Sequence, residues 1–385
     1  MCPTAWAINH DDGEPEYNAV DLRRISGMYL YPGQHRTGAR QGVRPVAQGV
    51  VQVSGSQWTV NPLQAVVYPA TSFTSGPYVV GMATETGSIN PADISSPRLD
   101  AIDLQVLDDD EDASGEREVR VVYTAGTPAS NPQPPQETPS ALRLATILVP
   151  AEDDGSASIE RAAQYTVSSG GILPVRDDEE MPDASLTDGM TVWHQELGMQ
   201  LVRHNNQWRP TSSVVLLDEQ DLIGAATSPT HLQVPELLHG IFREFRITVR
   251  AGVSDAGPGR RIVVRFNDSG DDGNYRFSGW ANDPTGSIEN VQTSGGGNPV
   301  MGFVGNFGPG VSQTTITPVS PTSASSVSWV STSWSNQGGS GSEVGISGGR
   351  WAPSSSDPLT SFQVRTNLQG LTWSSGSYAS LWGYV

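Results

Sequence analysis

The chain has 385 residues, which is enough for two or three domains. It contains 42 glycines, 28 prolines and a single cysteine, Cys2, which excludes an intrachain disulfide bond and a four-cysteine zinc site. All 22 basic residues are arginine, so a P-loop lysine, a Schiff-base lysine and a Ser-Lys dyad are also excluded.

The formal net charge of −19 is concentrated in the first part of the chain. Residues 231 to 385 contain 10 acidic and 9 basic side chains, whereas residues 1 to 230 contain 31 acidic and 13 basic side chains. An acidic surface of this kind repels phosphate, so we expect no nucleic-acid binding. The simplest role for the excess charge is to keep a large assembly soluble.

The amino terminus has no basic segment followed by an apolar core, and no uninterrupted apolar run approaches 18 residues. We therefore expect neither a cleavable signal peptide nor membrane insertion. The opening segment carries five arginines. Such a basic arm is suited to docking on an acidic neighbouring protein. The alternative is that they pair with carboxylates of their own chain, such as Asp11 and Glu14. The arginines are Arg23, Arg24, Arg36, Arg40 and Arg44.

The glycine and proline content, together with short alternating segments, predicts an all-β chain of many short strands. A first hairpin is predicted around Ser54 to Ser56, and a strand at Tyr78–Met82. A second hairpin is predicted between the alternating segments 102–106 and 119–123, and a buried strand at 141–150.

The tip of the second hairpin contains five consecutive carboxylates, Asp108 to Asp112. Clustered carboxylates can bind calcium, but the spacing of an EF-hand loop is absent. A solvated tip is the simpler interpretation, and no metal site is predicted. The segment 126–140 contains five prolines and is predicted to run extended along the surface.

Apolar residues around Trp193 and Trp208 predict a small β-meander with a turn at 204–207. His194 and His204 are too isolated to be metal ligands, so we expect them on the surface. We place an N-terminal domain at 1–174, a spacer containing this meander at 175–228 and a distal domain at 229–385. The apolar spacing between 229 and 245 fits either two turns of helix or an early strand.

The distal domain begins with two alternating apolar series. They are Phe245, Ile247 and Val249, then Ile262, Val264 and Phe266. The ten residues 251–260 between the two strands contain three glycines and a proline, so we predict that the strands pair as a hairpin followed by an acidic loop.

A symmetric loop in this hairpin places Arg246 opposite Arg265 and Arg250 opposite Arg261. Like charges directly opposite one another destabilise a sheet by some tenths of a kcal/mol, roughly. Such a face favours an anionic partner, either carboxylates of an adjacent subunit or a phosphate-bearing glycan.

The candidate ligand-binding residues lie within 266–280 and on three later tryptophans. Glycan-binding surfaces use aromatic rings against the apolar faces of sugars, and Asp, Asn or Arg against their hydroxyl groups. The alternatives are ordinary turn chemistry for the acidic loop and burial for the aromatic side chains. The candidates are Asn267, Asp268, Asp271, Asp272, Asn274, Tyr275, Trp280, Trp329, Trp334 and Trp351.

No catalytic residue and no cofactor are predicted. A glycosidase needs two facing carboxyl groups, and pairs such as Asp283 with Glu289 carry no further signature. The glycine-rich run 338–345 is not followed by GK[ST], and neither a nucleophile elbow nor a zinc signature is present. We therefore expect a protein that is not an enzyme.

Several short motifs occur in a characteristic order along the chain. The front part contains GVRPVAQGVVQVSG, VNPLQAVV, PRLDAIDLQV and LRLATILVP, followed by NNQWRP. The back part contains IFREFRITVR, IVVRFNDSGDDGNY and the closing GLTWSSGSYASLWGYV. This series resembles minor tail or baseplate proteins, similar to tail fibres, of double-stranded DNA bacteriophages that infect actinobacteria.

The resemblance implies a virion tail-tip protein, made in the host cytoplasm, that assembles as a homotrimer with other tail or baseplate proteins. It implies an N-terminal attachment domain, a short β-hairpin spacer and a C-terminal β-sandwich or jelly roll. We expect the distal domain to recognise a host cell-surface glycan such as a cell-wall polysaccharide. The alternatives are a purely structural baseplate subunit and a polysaccharide depolymerase.

Overall fold

Strands joined by turns make up most of the described chain, which confirms the all-β prediction. The computed structural model describes residues 18–33, 38–45, 49–68, 75–182, 188–226, 228–253, 261–267, 275–282, 288–294, 300–303, 310–320, 322–336, 342–352, 358–366 and 372–385. The chain divides into two units, Met1–Gln207 and Trp208–Val385. The boundary falls within the segment 175–228 that was assigned to a spacer.

The first unit opens with helix α1, Ala19–Ser26, whose N-cap Asn18 accepts a hydrogen bond from the Asp21 backbone N–H. A second, short helix α2 covers Asp109–Asp112. The strands are β1 Gly42–Val43, β2 Val51–Ser54, β3 Gln57–Val60, β4 Leu63–Val67, β5 Tyr78–Met82, β6 Glu85–Ser88, β7 Arg98–Asp108, β8 Arg117–Thr124, β9 Ala141–Val149, β10 Ser158–Ala162, β11 Leu173–Val175, β12 Thr191–His194, β13 Met199–His204 and β14 Gln207–Pro210.

These strands form four small sheets, ordered β1-β4-β5, β2-β3-β6, β10-β9-β7-β8 and β11-β12-β13-β14. Both predicted hairpins are confirmed, because β2 pairs with β3 and β7 pairs with β8 in antiparallel register. The predicted meander is also present, and its turn places Asn205 and Asn206 in the left-handed region that asparagine tolerates.

Strand β7 is buried at almost every position rather than on alternate ones. It lies between β8 and β9, and two of its carboxylates, Asp100 and Asp103, are fully buried. Asp103 accepts hydrogen bonds from the Arg143 side chain and from the backbone N–H of Thr138 at 3.0 Å. Because Thr138 belongs to the proline-rich segment 126–140, that segment covers the polar face of β7 and removes it from water.

The other buried carboxylate, Asp100, forms an ion pair with Arg98 of the same strand. Arg98 Nε donates to Asp100 Oδ1 at 2.8 Å, and the two side chains are 5% and 0% exposed. The Tyr123 hydroxyl and the Gly126 backbone N–H donate to the same carboxylate at 2.5 and 2.8 Å. Such saturation with donors is the condition under which a charged group is tolerated in an interior.

The carboxylate-rich tip of the β7–β8 hairpin is only partly solvated. Arg23 of α1 donates to Asp108 at 3.1 Å and to Glu111 at 2.5 Å, and its guanidinium lies 4.6 Å from the ring centroid of Tyr78. Arg23 therefore pairs with residues far along its own chain. The proposed partners Asp11 and Glu14 lie outside the described residues.

The prediction of a surface position is wrong for His194, which is completely buried. Its Nδ1 accepts from the Leu197 backbone N–H at 3.3 Å, so its Nε2 carries the proton and donates to Asp178 at 2.8 Å. Two hydrogen bonds, to Asp178 and to the Leu197 backbone, therefore fix the orientation of the imidazole ring. His204 is exposed, as expected.

The second unit is built from strands that are mostly longer than those of the first. They are β15 Val214–Asp221, β16 Thr230–Gln233, β17 Glu244–Ala251, β18 Arg261–Phe266, β19 Tyr275–Asn282, β20 Ile288–Ser294, β21 Val300–Phe303, β22 Gly310–Ser320, β23 Ser323–Asn336, β24 Ser342–Trp351, β25 Ser361–Thr366 and β26 Tyr378–Tyr384. An eight-stranded sheet has the order β15-β26-β17-β22-β23-β24-β19-β20, and a four-stranded sheet the order β16-β25-β18-β21. Between 229 and 245 the structure has strand β16 and one 3-10 turn, Glu236–Leu238, and β17 begins only at Glu244, so this segment forms neither two turns of helix nor an early part of β17.

The predicted hairpin between β17 and β18 is wrong. Strand β17 pairs with β22 and β26 in the larger sheet, whereas β18 pairs with β21 and β25 in the smaller one. Arg246 therefore lies beside Thr315 and Trp382, and Arg265 beside Gln363. The proposed opposition of Arg246 to Arg265, and of Arg250 to Arg261, does not exist, because the connection crosses from one sheet to the other.

The two sheets of the second unit share an aromatic core. Phe266 of β18 lies 5.4 Å from Trp351 of β24 and 5.9 Å from Tyr275 of β19, measured between ring centroids. Phe362 of β25 lies 5.3 Å from Phe245 of β17. Rings from both sheets thus interleave at the distances that favour tilted and edge-to-face packing, and the unit is a β-sandwich.

Replacing Asp100, one of the two buried carboxylates of β7, tests how much the buried ion pair stabilises the first unit. We expect Asp100→Ala to lower the free energy of unfolding by about 3–5 kcal/mol, because it leaves the Arg98 guanidinium buried without its counter-charge. The measurement is urea unfolding of the full chain. The control is Asp110→Ala, whose 76% exposed side chain pairs with Arg117 and should contribute less than about 1 kcal/mol. Equal effects of the two substitutions would contradict this account.

Two tyrosines of the first unit, the buried Tyr31 and the partly buried Tyr78, predict a loss of stability at alkaline pH. Burial raises the pKa of Tyr31 to about 12. Burial also raises the pKa of Tyr78, and its hydrogen bond to Asp108 acts in the same direction. The contribution of both groups to the free energy of unfolding is complete below the usual tyrosine pKa of about 10. As the pH rises towards the folded pKa, the unfolded chain releases these protons first and stability falls.

The measurement is the free energy of unfolding as a function of pH, with tyrosinate absorbance recorded in parallel. Tyr78→Phe should be less stable at neutral pH by about 1 kcal/mol because Asp108 loses a donor. Above pH 10 its stability should fall less steeply than that of the unsubstituted chain. Parallel curves for the two proteins would show that Tyr78 titrates normally.

Candidate functional site

The eight-stranded sheet exposes large apolar side chains on the face opposite its core. In register, Trp334 on β23 pairs with Val344 on β24, and Trp280 on β19 pairs with Ile346 two residues further along β24. Val330 lies on the same face of β23. These five residues, called here the tryptophan face, are 38 to 56% exposed. A contiguous exposed apolar patch usually marks a contact site.

Part of β22 and β23 departs from the polarity of an ordinary half-buried sheet. Four of their inner positions are hydroxyl residues, Ser312, Thr314, Ser331 and Ser333, and all four are buried, whereas the inner positions Ile316, Val327 and Trp329 are apolar. The Thr314 hydroxyl donates to the Ser331 hydroxyl at 2.8 Å. A sheet with one face in water normally places apolar residues inward and polar ones outward. In this part of the sheet, Val330 and Trp334 point to solvent instead.

A shallow groove runs across the tryptophan face. Gly348 has Val330 on one neighbouring strand and Ser278 on the other, so the missing side chain leaves a channel between them. Trp280 and Ile346 form its wall at one end, and the volume is about 430 Å³. The groove is open along its length, so it suits part of an extended molecule better than an enclosed small ligand.

The two exposed tryptophans are separated by one intervening strand and by two residues along the strands. Strand spacing and rise place their Cα atoms roughly 12 Å apart. This distance is too long for both indoles to stack on one ring. It allows each indole to cover a different ring of one oligomer.

Two arginines lie just beyond the groove, at the next positions on the same face after Ser278 and Gly348. Arg276 on β19 and Arg350 on β24 are direct register partners, and both side chains are exposed. Arg350 Nε donates to the Ser326 hydroxyl at 2.8 Å, which orients its guanidinium. We call these two residues the arginine pair. Within the described part of the chain, neither of them forms a salt bridge.

Three of the candidate aromatic residues belong to the core. Tyr275, Trp329 and Trp351 are 0%, 2% and 1% exposed, and Tyr275 stacks on Trp351 at 5.9 Å. Their predicted role in ligand binding is therefore corrected to a structural one, because a surface ligand cannot reach them. Of the predicted aromatic candidates, Trp280 and Trp334 remain accessible.

Asn267 has a structural role in the turn after β18. Its side-chain amide donates to the Pro358 carbonyl at 2.8 Å, and its carbonyl oxygen accepts from the Thr360 and Ser361 backbone N–H groups. Both ends of the amide are thus occupied, which corrects its assignment as a ligand-binding residue. Asp268, Asp271, Asp272 and Asn274 lie outside the described residues.

The residues of this site that were not among the sequence candidates are Arg276, Ser278, Val330, Val344, Ile346, Gly348 and Arg350. A signal was present in the segment 327–334, VSWVSTSW. Large apolar residues occupy both odd and even positions there, Val327 and Trp329 in one series, Val330 and Trp334 in the other. Since alternate residues face opposite sides of a sheet, this pattern indicates a strand with large apolar residues on both faces.

The first unit has an exposed apolar surface of its own. Met28, Tyr29 and Val79 are 75%, 63% and 63% exposed. Val79 also lines a groove of about 600 Å³, together with residues that include Leu30 and Val167. This second surface is also of the kind that marks a protein contact site.

The described residues contain neither a cluster of metal-ligating side chains nor a membrane-spanning helix. No group of three or more His, Cys, Asp or Glu side chains there is arranged to hold a metal ion. No helix in the described segments is both long enough and apolar enough to span a bilayer.

Comparisons with known proteins leave the site to be interpreted from its own geometry. No family model matches the sequence, and no curated protein matches it significantly. A solved structure, that of the infectious bursal disease virus Gt strain, aligns over 89% of this chain and 84% of its own, with 8% identity and a TM-score of 0.10. A TM-score this low carries no argument about fold or function.

Proposed function

We propose that this protein is a bacteriophage tail-tip component whose second unit binds a glycan of the bacterial surface through the tryptophan face. The observation that carries the proposal is the exposure of Val330 and Trp334 on β23, where the neighbouring inner positions, Ser331 and Ser333, hold small hydroxyl residues. Indole rings exposed on a rigid sheet can cover the apolar faces of sugar rings at little entropic cost.

The surroundings of the two tryptophans fit a sugar better than a purely apolar ligand. Ser278 and Thr332 are exposed on the same face, so hydroxyl donors and acceptors lie beside the indoles. The shallow open groove accommodates a polymer that extends beyond the site at both ends. The short motifs that resemble phage tail proteins support the virion assignment.

The first unit takes the attachment role in this proposal. Its exposed Met28, Tyr29 and Val79 provide an apolar surface for another tail or baseplate protein. The homotrimer remains part of the proposal and is tested by analytical ultracentrifugation of the purified chain, with a trimer as the expected species.

A second candidate function is a structural baseplate subunit without receptor contact. The same tryptophan face favours it, because exposed tryptophan and aliphatic residues also occur at the centres of protein interfaces. The two functions differ in one observable, which is binding to bacterial cell-wall polysaccharide.

The test measures binding of the full chain to purified actinobacterial cell-wall polysaccharide. We expect Trp280→Ala and Trp334→Ala each to weaken binding about tenfold or more, since each removes a ring that the ligand buries. The matched control is Ile223→Ala, a 79% exposed apolar residue of the same unit, which should bind normally. Absence of binding by the unsubstituted protein would favour the structural subunit, and release of oligosaccharide would indicate a depolymerase.

The groove itself is tested by filling it. A Cβ at position 348 would lie 3.2 Å from the Trp329 carbonyl oxygen and 3.7 Å from Val330 Cγ2, so a side chain fits after a small adjustment. We expect Gly348→Gln to abolish polysaccharide binding while the thermal unfolding midpoint changes little. Gly348→Ala, the smaller control, should retain much of the binding. Full binding by Gly348→Gln would place the ligand elsewhere.

A further inference from the structure

The arginine pair has a location that stability alone does not explain. Arg276 and Arg350 are direct cross-strand partners, so their Cβ atoms are about 5 Å apart. Like charges at this distance destabilise a sheet. The arrangement becomes favourable when an anion lies between the two guanidinium groups, because each offers several N–H donors in a planar fork.

Few acidic residues lie on the strands next to the pair. The sequences of β19, β20, β23 and β24 contain two, Glu289 and Glu343. Glu289 is five residues along β20 from the register partner of Arg276, and Glu343 is seven residues from Arg350 along β24, so their backbone positions are roughly 17 and 23 Å from the pair. Both separations exceed the screening length of about 8 Å at physiological ionic strength. In a chain with a net charge of −19, the described part of this face is a local cationic area.

The pair is also continuous with the groove. Moving along β19, Arg276 is followed on the same face by Ser278 and then by Trp280, four residues or roughly 13 Å from the arginine. On β24 the same order is Arg350, Gly348 and Ile346. A ligand lying along the groove therefore meets a ring-stacking surface at one end and two cations at the other.

We infer that the glycan bound by the tryptophan face is anionic, and that the arginine pair binds a phosphate or carboxylate group of the polymer while Trp280 covers a neighbouring sugar ring. This inference rests on the proposed function and specifies its ligand class. The Arg350 guanidinium is already oriented through Nε by the Ser326 hydroxyl, and among the described residues no hydrogen bond occupies its two terminal nitrogens, which can therefore face the anion.

The test uses the full chain and polysaccharide isolated from actinobacterial cell walls in three forms. One form is intact, one has its carboxyl groups reduced to alcohols, and one has its phosphate groups removed. We expect tight binding to the intact polymer, and at least about tenfold weaker binding to the form that lacks the recognised anion. The treatment that weakens binding identifies the source of the charge.

Variants separate the arginine pair from general electrostatic attraction. Arg276→Ser with Arg350→Ser should weaken binding to the intact polymer about tenfold or more, and should remove the dependence of affinity on salt. The control is Arg117→Ser with Arg120→Ser, two exposed arginines of the first unit, which changes the net charge equally and should bind normally. Arg350→Lys keeps the charge but loses the planar fork, so intermediate affinity is expected.

The outcomes distinguish this inference from the proposed function. If all three polymers bind equally and the double arginine variant binds normally, the anionic ligand is excluded while glycan binding stands. If no form of the polymer binds, both proposals are overturned. A loss of binding in Trp280→Ala but not in the double arginine variant likewise overturns the inference alone.

Discussion

The aromatic core between the two sheets of the second unit is the constraint on which its surface depends. Tyr275 stacks on Trp351 at 5.9 Å, and both rings pack against Phe266 of the opposite sheet. Side chains alternate along a strand, so the residues adjacent to the inward-facing Tyr275 and Trp351 must face outward. These residues are Arg276, which follows Tyr275, and Arg350, which precedes Trp351. The two buried rings thereby place the two arginines side by side.

The same alternation determines what the sheet offers to a partner. Beyond the aromatic core, the inner positions of β22 and β23 hold small hydroxyl residues that bond to one another, and the outer positions hold Val330 and Trp334. Stability alone would favour the opposite arrangement, with the large apolar groups buried. A face that retains exposed indoles, a glycine-floored groove and paired arginines is instead suited to recognition, and a rigid sheet keeps these groups preorganised.

The first unit handles its polar groups differently. Its β7 strand buries Asp100 and Asp103, and each carboxylate is neutralised by an arginine and further donors. The proline-rich segment 126–140 supplies several of those donors, so a stretch without regular secondary structure completes the core. The segment's extended course was predictable from its prolines. Its function as a cover was not, because nothing local in the sequence connects Thr138 to Asp103.

The local properties of the chain follow from its sequence. Period-two alternation identified strands such as β2, β3, β7, β8 and β17, and turn residues identified two hairpins correctly, because both signals depend on neighbouring residues. Strand partners were decided by the tertiary structure. Ten residues with three glycines permit either a hairpin or a crossing to the opposite sheet, and β17 and β18 take the crossing because their apolar faces meet in one core.

Which tryptophans face solvent was decided in the same way. The sequence places Trp329 and Trp334 in opposite alternation series, but only the packing of Trp329 and Trp351 inside the sandwich shows which series is buried. Trp280 and Trp334 are then exposed as a consequence. The sequence thus determined that this chain forms β-strands with large apolar residues on both faces, and the tertiary structure decided which face is the core and which is left for a ligand.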